Sequence, residues 1–244
     1  MSRTSTAFAA VAGIFAIALT ACGGGGGGGG STAPPPATTY DLQTGISNLV
    51  SQGQTGNLAL SGTVLVNGNQ VPFTGTGTLT LAPSVAATFN STAALSQTQT
   101  IAGTITAAGQ TTSLPATSVV DYYDSGNDAF LGETASGAYD VVQSPFTYPT
   151  MVVGGSTGTL GTISNYTDST MSVSVGTTEV TYAVTAPVDP GSPVSVKVTN
   201  VSKDPMGNVT ETDVTSYTLT GGGILTITSA SAQNATITLL ATVQ

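Results

Sequence analysis

The chain has 244 residues, of which 39% are hydrophobic and only 6% charged, enough apolar matter for a packed domain and far less charge than an average protein carries. Its formal net charge of −9 comes from 12 acidic against 3 basic side chains, which excludes a phosphate-tracking nucleic-acid surface. There is no His and no Trp, and only one Cys, so a Ser-His-Asp triad, His-ligated zinc, a Trp stacking platform and an intrachain disulfide are excluded as well.

In chain order the first element is an N-terminal targeting segment. Arg3 supplies a minimal positive start, and Ala7 to Leu19 is an apolar run. A membrane-spanning helix needs about 20 apolar residues, so this run fits the shorter hydrophobic region of a signal peptide. Small residues follow it and lead into Cys22.

Leu19-Thr20-Ala21-Cys22 resembles the lipobox of bacterial lipoproteins: Leu, a small residue, Gly or Ala, then Cys. The resemblance covers residues 1–22 and implies removal of residues 1–21, a diacylglyceryl thioether on the Cys22 sulfur, and an acyl chain on the new amino terminus. Two or more chains anchor a protein stably where one binds marginally. Gly23 stands where the family's inner-membrane retention signal has Asp, which leans towards the outer membrane. The expected location is therefore the bacterial cell envelope, with the membrane itself as partner through Cys22. After cleavage Lys197 and Lys203 are the only basic side chains left, too few for a polybasic membrane footprint.

Residues 22–39 hold the attachment cysteine and a tether of eight glycines followed by Pro34, Pro35 and Pro36. Glycine gains nothing by packing and loses most entropy on ordering. As a coil the segment after Cys22 reaches roughly 20–25 Å, and the prolines stiffen its far part.

Residues 40–244 read as one all-β domain. Leu42, Ile46, Leu49 and Val50 share one helical face, with Asp41 at the start and Gly53 at the end, which predicts a short N-terminal helix packing on a sheet. Everything after Gly56 has period two. Asn67-Gly68, Asp204-Pro205-Met206-Gly207-Asn208 and Gly221-Gly222-Gly223 mark hairpin turns. Val194, Val196 and Val198 share one strand face, and Val180, Tyr182 and Val184 another. About a dozen strands with frequent turns predict an antiparallel β-sandwich or a barrel-like sheet. The spacing Tyr123 to Leu131 recurs as Tyr217 to Leu225, which suggests two similar halves, 56–143 and 154–244. A membrane-spanning barrel is the weaker alternative, because the strands show no aromatic girdle.

Few residues point to chemistry, and no cofactor is implied. The densest polar stretch runs from Asp121 to Glu133, where Asp121, Asp124, Asn127 and Asp128 are oxygen donors of the kind Ca²⁺ takes. The EF-hand spacing fails at Tyr123 and Gly132, and a hairpin tip accounts for the same composition. Paired carboxylates are the other option for acid–base work. Asp140, Asp168, Glu179, Glu211 and Asp213 are scattered, however, and Glu211 and Asp213 alternate with Thr as on a solvated outer strand face. Tyr122, Tyr123, Tyr139, Tyr148, Tyr166 and Tyr182 fit a binding surface or the edge of a core equally well. The Asn-x-Ser/Thr matches at Asn90, Asn165, Asn200, Asn208 and Asn234 are what a Thr- and Ser-rich chain yields by chance. The sequence thus predicts a structural or binding protein and no enzyme. The alternatives are a carrier holding a lipophilic ligand in a β cavity, and a carboxylate enzyme acting on an envelope polysaccharide.

Overall fold

The computed structural model describes residues 38–144, 146, 148–189 and 191–244. The targeting segment, Cys22 and nearly all of the tether lie outside the described residues. The elements, in order, are α1 (Leu42–Gln52), β1 (Gln54–Val66), β2 (Asn69–Leu81), β3 (Val85–Phe89), β4 (Thr92–Ala107), β5 (Gln110–Asp124), β6 (Phe130–Ala135), β7 (Ala138–Val142), β8 (Thr157–Tyr166), β9 (Ser174–Val184), β10 (Val194–Lys203), β11 (Val209–Leu219), β12 (Leu225–Asn234) and β13 (Ile237–Val243).

All the strands belong to one antiparallel sheet, and each pairs with its neighbour in sequence, with two exceptions that close it. β1 pairs with β13, joining first strand to last, and β2 pairs with β4 over Phe73–Leu81. The result is a closed 12-stranded barrel, with β3 continuing the line of β2 along β4. The segments 56–143 and 154–244 therefore build a single sheet. At the closing seam Gly62, Gly75, Gly77 and Gly103 face inward, and a Cβ at any of them would lie 1.9–2.5 Å from a carbonyl of the adjoining strand. Glycine lets the backbone coil tightly where the barrel must shut.

Alternation decides what the barrel holds. Val194, Val196, Val198, Val180, Tyr182 and Val184 all point inward and are buried. The outward positions of β2 are Thr74, Thr76, Thr78 and Thr80, all exposed, and the other long strands present similar Thr and Ser rows. A membrane-spanning barrel has the opposite polarity, apolar outside and polar inside. This barrel carries its apolar side chains on the inner wall and meets water with hydroxyls.

The two ends differ. The chain enters at what we call the basal end, where Tyr40 forms a backbone bridge to Val152 with both bonds at 2.8 Å. Its phenol donates to the Ser192 carbonyl at 2.5 Å. Helix α1 then lies across the basal opening with Leu42, Ile46, Leu49 and Val50 buried. Gly45 sits against Leu219 and Leu225, Asn48 Nδ2 donates to the Gly223 carbonyl at 2.8 Å, and the Ser47 hydroxyl donates to Asp128. Burying the four large side chains contributes on the order of 6–10 kcal/mol before ordering costs. At the opposite, distal end lie the hairpin turns at Asn67-Gly68, Ala108-Gly109 and Asp204–Asn208.

The helix ends are set by sequence. Asp41 caps the start, accepting from Thr44 N at 2.9 Å and from Thr44 Oγ1 at 2.8 Å. Gly53 ends it at φ 69°, with Leu81 O only 2.2 Å from where a Cβ would sit. Replacing Asp41→Ala is expected to lower the unfolding free energy by about 1 kcal/mol, measured by urea denaturation, while Asp41→Asn preserves the cap.

Candidate functional site

The inner wall is apolar towards the base, with Leu79, Leu81, Val196, Leu219, Leu225 and Ile227 buried there. The same wall also carries acids, at the base on β5 and towards the distal end on β11. Asp121 on β5 and Glu133 on β6 stand opposite each other in register, Asp140 on β7 stands opposite Glu133, and Glu211 and Asp213 share the inner face of β11. Amides accompany them: Gln97 opposite Asp121, Asn165 opposite Asp140, and Asn200 opposite Asp213. Asp121 is 2% exposed, Glu133 7% and Asp213 7%.

This corrects the outer-face reading of Glu211 and Asp213. Thr210, Thr212, Val214 and Ser216 take the outward positions of β11, and the acids take the inward ones. Period two identifies a face without saying which face is inside.

The electrostatics follow from burial. Among the described residues the basic side chains are Lys197 and Lys203, both outward on β10, and Lys203 pairs with the outer Glu179 at 3.0 Å. The lumen thus holds carboxylates with no basic side chain among the described residues to pair them. Desolvation raises Asp121 to about 7, although its hydrogen bond with Glu133 works the other way. Glu133 is raised well above the ordinary range, by burial first and then by the charges of Asp121 and Asp140. Burial raises Asp140 to about 6, opposed by bonds from Asn165 and the Tyr166 backbone. Asp213 is raised to about 8 by burial and by Glu211, and Glu211 is itself raised by burial. Asp213 also acts on Glu133, and Asp121 on Tyr217, so the β5–β6 and β11 walls approach each other across the lumen. Asp121 and Asp213, raised to about 7 and about 8, therefore keep protons near neutral pH that an exposed carboxyl has lost.

The other sequence-stretch candidates disperse. Asp121 points into the lumen, whereas Asp124 accepts from Gly126 N, Asn127 accepts from Ala129 N, and Asp128 accepts from Ser47. Asp121 to Asp128 is thus the end of β5 and the turn to β6, each turn side chain already serving a backbone or helix group. Among the described residues no three acidic, His or Cys side chains gather closely enough to hold a metal ion. Asp168 caps the β8–β9 turn through Thr170. Of the tyrosines, Tyr123, Tyr148 and Tyr182 are core residues. Tyr122 and Tyr139 lie outside the barrel, where Phe89 stacks on them at 4.5 and 5.4 Å between ring centroids. Asn165 and Asn200 face the lumen, which places neither as a surface acceptor of sugars.

At the distal end an open groove of about 950 Å³ runs along the β10–β11 and β12–β13 turns, bounded by Asp204, Asn208, Val209, Glu211, Gln233 and Asn234. Thr210, Thr212 and Gln233, which also line it, face outward, and Glu211 accepts from Asn234 Nδ2 at 3.3 Å.

The fold and site thus define a closed, Thr-coated β barrel with a helix-plugged base and an acid-lined lumen. Comparison with protein-family models and with curated proteins finds no match. Comparison with solved structures finds a Bacteroides fragilis protein with a YmcC-like fold, 11% identical, matched over 79% of this chain and 95% of that one at a TM-score of 0.33. No functional inference follows from a likeness of that degree.

Proposed function

We propose that this chain is a lipid-anchored cell-envelope protein that acts by binding, held to the membrane through Cys22. The observation that carries the reading is Leu19-Thr20-Ala21-Cys22 at the end of an apolar run and before eight glycines. The fold supports it in two ways. The barrel is polar outside, so attachment falls to another part of the chain. The chain also enters at the basal end beside Tyr40, so a tether from Cys22 leaves there and turns the distal groove away from the bilayer.

The rival readings draw less support. A lipophilic-ligand carrier needs an apolar cavity, whereas here the interior is filled by Tyr217, Tyr123 and the buried acids Asp121, Glu133 and Asp213. A glycosidase-type enzyme needs two carboxyls on either side of a substrate, roughly 5–9.5 Å apart. Asp121 and Glu133 are instead buried and hydrogen-bonded to each other.

Mass spectrometry of protein extracted from membranes is expected to show a mature chain beginning at Cys22 with a diacylglyceryl group on sulfur. Cys22→Ala is expected to move the protein out of the detergent-extracted fraction or leave it uncleaved. An unmodified Cys22, or residues 1–21 intact on the mature chain, overturns the proposal.

A further inference from the structure

Among the described residues twelve large hydrophobic side chains are exposed, and seven of them stand at the distal end. Met171, Val173 and Val175 come from the β8–β9 connection and the start of β9. Met206 and Val209, 84% and 60% exposed, come from the β10–β11 turn and its edge, and Leu65 and Val66 from the end of β1. These pieces adjoin. A Cβ on Gly176 would lie 1.9 Å from the Lys203 carbonyl, so the start of β9 lies against the foot of the β10–β11 turn. The distal groove then runs from Val209 to Ala235 and Thr236, and Thr236 O accepts from Leu65 N at 2.8 Å. The result is one apolar arc along the rim of a barrel whose wall is otherwise coated with hydroxyls.

A contiguous apolar patch of this kind marks contact with another molecule. Three kinds of molecule offer apolar surface to it, and chemistry separates them. Bilayer hydrocarbon gives no partner to the exposed backbone of turns, and anionic headgroups call for cations. The basic side chain nearest the rim, Lys203, is already paired with Glu179 at 3.0 Å. A second copy would set acid against acid, because Asp168 and Asp204 stand in the same two turns as Met171 and Met206. Hydrogen bonds from Thr170 and Asn208 hold both carboxyls below their ordinary range, so both stay ionised. A segment of another protein in which apolar side chains are bordered by Lys or Arg matches both the arc and its charge. Methionine, with its flexible thioether, suits such adaptable surfaces, and two of the chain's four stand here.

We propose that the distal rim, from Met171 through Met206 and Val209 to Leu65, is a docking surface for a partner protein's segment of apolar side chains bordered by Lys or Arg. The apolar side chains cover the arc, and the cations meet Asp168 and Asp204. The inference names a partner class for the binding role argued above and rests on that role. The anchor test reads residue 22 and the docking test reads residues 206 and 209, so each can fail alone.

The test is surface plasmon resonance on the full lipidated protein held in phosphatidylcholine nanodiscs, with empty discs as reference. The probe is an amphipathic Leu/Lys peptide, and the same peptide with Glu in place of Lys is the second arm. Saturable binding of the Leu/Lys peptide that weakens with added salt is expected, and none of the Leu/Glu peptide. The double variant Met206→Ser, Val209→Ser is expected to weaken binding by about 10- to 100-fold, and Val173→Ser, Val175→Ser repeats the test on the neighbouring connection. Val188→Ser, Ile224→Ser, at two exposed positions of the basal connections, is expected to leave affinity unchanged. All variants are checked for native melting. Absence of Leu/Lys binding up to about 1 mM overturns the proposal. So does equal binding of the Leu/Glu peptide, or equal weakening by the distal and basal variants. Capture of protein-free phosphatidylcholine vesicles through residues 206 and 209 overturns it in favour of a membrane, and pairing of protein-bearing discs through the same residues overturns it in favour of a second copy.

Discussion

Raising the pH from 5 to 8 is expected to lower the melting temperature of the barrel by on the order of 10 °C. The groups responsible are Asp121 on β5, Glu133 on β6, Asp140 on β7, and Glu211 and Asp213 on β11, facing one another and Tyr123, Tyr148 and Tyr217. Each acid is raised in the folded protein, and in the unfolded chain each returns to the ordinary range near 4. Between pH 4 and about 8 the folded state therefore holds protons that the unfolded state has released, and stability falls as pH rises. Below pH 4 both states are protonated and the dependence vanishes; above about 8 the part due to Asp121, Asp140 and Asp213 is complete. One net proton retained over three pH units amounts to about 4 kcal/mol. Asp168 and Asp204 are lowered by turn hydrogen bonds and act in the opposite sense, but only below pH 4. The double variant Asp121→Asn, Glu133→Gln is expected to flatten the curve and to melt higher than wild type at pH 8. A melting temperature that is level or rising from pH 5 to 8 sinks the idea.

The strands were legible because inward and outward residues differ so sharply in kind. Val-x-Val-x-Val on β10 and Val-x-Tyr-x-Val on β9 state the period, and Asn67-Gly68 and the Gly221–Gly223 turn mark where the chain reverses. Asp41 and Gly53 likewise bracket α1 within a residue of its observed ends. Closure was not legible. It depends on β1 meeting β13 and on β2 meeting β4, pairings between residues far apart in sequence, and the seam glycines Gly62, Gly75, Gly77 and Gly103 look in sequence like ordinary turn or strand-weakening residues.

The acidic lumen was misassigned for a specific reason. On β11 the sequence Thr-Glu-Thr-Asp-Val-Thr offers hydroxyls on one face and acids on the other, and hydropathy favours placing the acids in water. In the barrel, Tyr217 and Leu219 continue the face that carries Glu211 and Asp213, and their burial carries the acids inward. Extending the period from the acids to Tyr217 and Leu219 was the available signal. Asp121 was open to the same argument, since Val119 and Tyr123 flank it at period two.

Gln97 presents the largest single-residue effect expected in the fold. Its side chain is 1% exposed, and its Nε2 donates to Leu49 O at 3.0 Å, Val50 O at 3.2 Å and Ala82 O at 3.0 Å. Those carbonyls belong to the last turn of α1 and to the chain leaving β2, so one amide ties the basal plug to the wall. A helix leaves its last carbonyls without intrahelical donors, and a buried helix end needs them supplied. Leu49 O also accepts from Gly53 N and Val50 O from Ser84 N, so each keeps one partner if the amide is removed. Gln97→Leu is accordingly expected to cost about 2 kcal/mol, at the low end for stranded acceptors. Gln97→Glu keeps the shape but replaces the donor with a carboxyl, turning an acceptor on three acceptors beside Asp121. It must bind a proton to fold and still offers one O–H where two N–H groups served. Its cost is expected to reach about 3–5 kcal/mol at pH 7 and to shrink at pH 5 as the proton becomes available. Urea denaturation at both pH values measures the two variants, and limited proteolysis at residues 40–56 reports release of the plug. If Gln97→Glu is as stable as Gln97→Leu at pH 7, the three-carbonyl clamp does not hold α1 across the base of the barrel.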